Sequence, residues 1–171
     1  MKGVGLFLII LSCSFMGFAA GEALEKRLAA LEQAEKMLQL LAGELRCSYI
    51  PFPQAFRQVA ERLAPPWKDF LEGLSNRLEQ MSGERLQRVW EDGVDGLPEG
   101  CGLRGEDRRE LASLGKELGY LDLTMQLRTL EHFLERWNGR IQELRQELPA
   151  KRKIDRCLGI SAGLLLALVL L

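Results

Sequence analysis

Few residues in this 171-residue chain have the type and spacing for chemistry. Its single histidine, His132, has no acidic or cysteine partner at metal-ligand spacing and reads as a surface or boundary residue. Four cysteines are scattered. Cys13 and Cys157 belong to apolar ends, Cys47 and Cys101 stand alone in the middle, and no CxxC spacing joins them, so free thiols are expected. Neither GxxxxGK nor HExxH occurs, and the glycine-rich stretch Gly93–Gly105 lacks the lysine and hydroxyl residue of a phosphate cradle. No catalytic residue, metal ligand or cofactor is therefore expected, and the chain reads as non-enzymatic. Asp122 and Gln126 stand four apart and share a helical face. Asp122 is placed to cap a helix whose exposed amides follow the turn at Gly119-Tyr120, and the pair could equally hold a partner or a polar contact inside a bundle.

The elements that must position these groups are helical. Apolar positions Leu24, Leu28, Leu31, Leu38, Leu41 and Leu45 keep to one stripe of a long helix that can run on from the apolar N-terminal segment. Pro51 and Pro53 interrupt the chain after it. Two amphipathic pieces follow, Ala55–Leu63 and Trp67–Leu78, with Pro66 suited to the first turn of the second. A short helix is expected over Gly83–Asp92, a mobile loop over Gly93–Gly105, and a helix over Glu106–Leu118 that Gly119 stops in left-handed geometry. The strongest periodicity is Leu123, Leu127, Leu130, Leu134, Trp137, Ile141, Leu144 and Leu148, in steps of four and three. That seam suits either the spine of an antiparallel bundle or a self-associating coiled coil. Charged residues on this helix, Glu131, Arg136, Arg140 and Glu143, make a solvated face or a docking face.

Gly3–Gly21 carries no charge for 19 residues, enough as a helix to cross a bilayer, and Cys157–Leu171 is a shorter apolar run of 15. Lys151, Arg152, Lys153 and Arg156 precede the second run, and Lys26, Arg27 and Lys36 follow the first. Cations beside a membrane segment stay on the cytoplasmic side, which places the middle in the cytoplasm and the protein in the cell membrane as a two-pass chain. A cleaved signal peptide at the start would put the middle outside and contradict the basic flank of the tail. The reading is 1–21 as an N-terminal transmembrane helix, 22–153 as a cytoplasmic helical domain and 154–171 as a C-terminal transmembrane helix. The fold class is all-α: an antiparallel bundle of about six helices flanked by the two membrane helices. With 23 Lys and Arg against 24 Asp and Glu, no global field draws nucleic acid.

Gly115–Gln126, GKELGYLDLTMQ, resembles the LGxxDxxxQ element of the stage III sporulation protein AB family. KGVGLFLII resembles that family's glycine-punctuated first membrane helix, Arg27 occupies its early arginine, and GELRCSYIPFPQAF is similar to its segment leading through tyrosine to proline. Val89-Trp90 matches its tryptophan element, and KIDRCLGISAG, with Lys153, Arg156 and Gly159, matches its K-x-x-R-x-LG-x-x-G entry to the last helix. Phe52-Pro53 departs from the threonine, proline and leucine usual there. The resemblance covers essentially the whole chain. It marks Arg27, Trp90, Gly119, Asp122, Gln126, Lys153, Arg156 and Gly159 as motif residues, structural or partner-binding.

The resemblance implies a component of the channel apparatus joining mother cell and forespore, anchored in the mother-cell membrane around the forespore. It implies a helical domain similar to the platform proteins of type II secretion and type IV pilus machines. Its partners would be the other channel proteins, the AA-type secretion ATPase of that apparatus, the lipid bilayer and, in a homo-oligomer, further copies of itself. The alternative is a membrane-anchored helical regulator that binds a lipid or small molecule in an apolar pocket.

Overall fold

The computed structural model describes the backbone of residues 2–48, 50–80, 85–118 and 123–170, and the side chains of 21–47, 50–80, 85–118 and 124–149. The described residues form six α-helices, one 3-10 turn and no strand: α1 Lys2–Ser48, α2 Phe52–Ala60, α3 Trp67–Gln80, α4 Leu86–Asp95, the 3-10 turn Glu99–Cys101, α5 Gly105–Leu118 and α6 Leu123–Leu170. The all-helical class expected from periodicity is what the chain adopts.

The expected membrane segments fall on side chains outside the described residues. Their backbone is helical and belongs to α1 and α6 without a break. Among the described residues no helix is long and apolar enough to cross a membrane.

The chain divides into two compact units, residues 1–28 with 142–171, and residues 29–141. In the first, Leu24 and Leu144 are buried, and Pro149 lies inside α6, where its ring removes one backbone donor. The second unit holds α2 to α5 together with the adjoining turns of α1 and α6.

Within the second unit, α1 buries Ala30, Leu31, Ala34, Met37, Leu38, Leu41 and Leu45, a stripe wider than the leucines alone. It meets α6 in antiparallel order. The Trp137 indole donates to the Leu31 carbonyl (3.0 Å), Asn138 Nδ2 donates to Glu35 (2.8 Å), and Arg46 pairs with Glu131. Over Leu130–Ile141, then, the periodic seam is closed inside one chain. The seam is also rotated from its simplest reading: Phe133 is buried, while Leu127 and Leu134 are only half-buried. Phe133 stacks on Trp137 one turn along the same helix, with centroids 5.2 Å apart.

α2 begins one residue before Pro53, which occupies its first turn, where a missing amide donor costs nothing. Pro66 precedes α3 instead of entering it, and its carbonyl accepts the Phe70 amide (3.0 Å). Ser75 Oγ donates to the Pro53 carbonyl (2.8 Å) and ties α3 to α2. α4 is displaced from the expected Gly83–Asp92 and continues through Gly93 to Asp95. Gly93 is a packing position, not a loop residue: a Cβ there would lie 2.8 Å from Leu74 Cδ2 and 3.0 Å from Phe70 Cε2. Only without a side chain can α4 approach α3 this closely.

The remainder of the glycine-rich stretch was expected to be mobile, and it is instead held by α5. Arg108 donates to the carbonyls of Leu97 (2.9 Å) and Pro98 (2.6 Å), and Gly102 takes φ 91°, which suits glycine. Asp107, fully buried, accepts from the Arg104 amide (2.9 Å) and from Arg140 of α6 (3.3 Å), and Arg140 also binds Glu110 (2.5 Å). The bonds to Asp107 satisfy a carboxylate that burial would otherwise penalise.

Candidate functional site

Several motif residues converge on α5. Trp90 of α4 is fully buried, meets Phe70 edge-on (5.3 Å, 81°) and donates from its indole to the Leu111 carbonyl (2.8 Å). Gly115 lies against the same ring, where a Cβ would fall 2.6 Å from Trp90 Cδ1 and 2.8 Å from its Cβ and Cγ. One turn on, Gln126 Nε2 donates to the Leu118 carbonyl (3.0 Å). Carbonyls in the last turn of a helix lack amide partners, so this side chain closes the end of α5 from the first turn of α6. Gln126 therefore makes a polar contact within the bundle. Replacing it by leucine is expected to cost about 1 kcal/mol, the usual net value of one such bond, measurable as a lowered urea midpoint.

Gly119 and Asp122 lie outside the described residues, as do the side chains of Lys153, Arg156 and Gly159. Arg27 is buried at 8% exposure, in the first unit. Of the charges read as one face of α6, Glu131 and Arg140 are ties to α1 and α5, and Arg136 lies over the Phe133 ring at 5.8 Å. His132 is exposed, 3.6 Å from Glu135. Cys47 is exposed and Cys101 half-buried, both as free thiols.

Two glycine patterns resemble reaction motifs by letter. Gly100–Gly105 spells GxGxxG, but it follows a 3-10 turn and not a strand, the Arg104 amide is taken by Asp107, and Glu106 adds a second carboxylate to the first turn of α5. Carboxylates of the chain itself thus already occupy the positive helix end that a phosphate would need. Gly159–Gly163 spells GxSxG, yet its backbone lies within α6, far from the strand-to-helix elbow that exposes a nucleophile. Among the described residues no group of three or more His, Cys, Asp or Glu is arranged to hold a metal ion.

Among the described residues a half-open groove of about 280 Å³ lies between α3 and α4. Phe70, Leu74, Val89 and Leu97 line it, with Pro66 and Pro98. Its volume lies at the lower edge of the roughly 300–1,000 Å³ usual for small-molecule sites. Arg77, on the lining, is paired with Asp92 (2.8 Å).

Comparison with curated proteins gives no match. A solved structure of a stage III sporulation protein AB matches with a TM-score of 0.61 at 23% identity, over 72% of this chain and 96% of that one, a likeness of fold. The family model for stage III sporulation protein AB matches residues 2–171. With the helical order and the Trp90 and Gln126 contacts in place, the chain belongs to the stage III sporulation protein AB family.

Proposed function

We propose that this chain is a structural, non-catalytic membrane component of the mother-cell-to-forespore channel, a platform that couples a cytoplasmic secretion-type ATPase to the membrane complex. The observation that carries the reading is the family match over residues 2–171. The closed helical packing is consistent with it: Trp90, Trp137, Asp107 and Gln126 are spent on joining helices, which leaves surface presentation as the protein's means of action. The relation to type II secretion and pilus platforms, and the membrane placement with residues 22–153 in the cytoplasm, belong to the same proposal.

Deletion is expected to block late forespore gene expression after engulfment while engulfment itself proceeds. Spore counts and a forespore reporter measure this, and normal spores would overturn the reading. Topology has its own reporter in the exposed Cys47 thiol. In a strain lacking Cys13 and Cys157, an impermeant maleimide should label Cys47 only after permeabilisation, and labelling of intact cells would refute the placement.

A further inference from the structure

We infer that the groove between α3 and α4 docks a basic segment of a partner protein through an apolar anchor side chain. Its wall is mostly apolar, and its volume of about 280 Å³ is large enough to take one large apolar anchor side chain. The groove stays open because of a missing side chain. Gly73, exposed within α3, has nothing within 4 Å of where its Cβ would be, so neither packing nor backbone geometry requires glycine there. A glycine inside a helix weakens it, and here the absent side chain leaves room on the groove wall.

The charge around the groove selects the partner. From Glu91 to Leu103 the chain holds four carboxylates and no lysine or arginine. Glu91 lies 3.9 Å from Lys116, Asp92 pairs with Arg77, and Glu72 lies 3.8 Å from Lys68. Among the described residues no ion pair engages Asp69 on the lining, or Asp95 and Glu99 on either side of Gly96–Pro98. Against these three carboxylates stand Arg88 and, directly after Leu103, Arg104, whose side chains likewise enter no ion pair among the described residues. The guanidinium of Arg108 is committed to the loop carbonyls. An apolar cleft with net negative surroundings is complementary to a segment carrying a large apolar residue between lysines or arginines.

The inference rests on the platform reading for where such a partner is found, and its test separates the two. A photoreactive benzoylphenylalanine is placed at Asp69 of the full-length protein in sporulating cells, with the exposed Gln54 of α2 as control position, and cross-linked peptides are sequenced. The expected product is a protein segment of net positive charge with a large apolar residue. Gly73→Leu should abolish it, and Asp95→Lys with Glu99→Lys should reduce it by about fivefold or more. Gly73→Leu replaces an unpacked glycine by a better helix former, so unchanged circular dichroism is expected of it. Cross-links no stronger than at Gln54, or cross-links to lipid, to a second copy, or to an acidic segment, would overturn the inference, as would a product indifferent to Gly73→Leu. A basic partner outside the channel apparatus would uphold the groove and count against the platform. A sporulation block on deletion with no Asp69 cross-link would do the reverse.

Discussion

Trp90→Ala is expected to remove about 3–5 kcal/mol of stability, the range for deleting a fully buried tryptophan. The ring is the point where four helices meet: it contacts Phe56 of α2 at 6.1 Å and Phe70 of α3 at 5.3 Å, belongs to α4, and hydrogen-bonds α5. Most of the loss comes from packing. The Leu111 carbonyl lies mid-helix and keeps its own helical amide, so the indole bond uses its second lone pair. Trp90→Phe should therefore cost less than Trp90→Ala, because much of the apolar area stays.

Gly115→Ala tests the other side of the same contact. An alanine is ordinarily better in a helix by about 1 kcal/mol, yet here its Cβ meets the root of the Trp90 side chain, which cannot swing away as a long tip could. A net loss of about 1–3 kcal/mol is expected from overpacking. In the double variant the Cγ and Cδ1 contacts vanish and the one to Cβ remains, so part of the Gly115→Ala cost should disappear. Urea unfolding of the four proteins, followed by circular dichroism, measures that coupling, and strictly additive losses would show that Gly115 and Trp90 act separately.

The second large effect is expected at the α1–α6 contact. Trp137→Ala should cost about 3–5 kcal/mol, since Trp137 is fully buried, stacks on Phe133 and reaches the Leu31 carbonyl from the opposite helix. The same variant distinguishes the two uses of a heptad seam. With the seam closed inside one chain, the unfolding midpoint of wild type and variant should not depend on protein concentration, whereas a seam shared between chains would make it rise with concentration. Sedimentation of the two proteins at matched concentrations gives an independent reading.

Periodicity was enough for the long helices because an apolar stripe must face a core whichever core it is. That is why Leu31, Leu38, Leu45, Trp137 and Ile141 are buried as their spacing required. Gln126 was also visible as a polar residue beside the start of a helix, and the choice between a partner contact and an internal one needed the end of α5 to be located. The misread positions are those where one letter has two physical meanings. Glycine marks loops, but Gly93 serves close helix approach, and nothing in its immediate sequence distinguishes the two uses. Charged residues mark solvated faces, but Arg140 and Glu131 of α6 bridge to helices distant in sequence.

The residue pattern alone determined the helical class, the order of the helices and the family resemblance, because each depends on local spacing and composition. Tertiary structure alone decided the partner of each buried polar group, the displacement of α4, the inward turn of Phe133 and the groove between α3 and α4. Those features depend on which helix faces touch, and a contact between residues separated by tens of positions leaves no periodic trace in either segment.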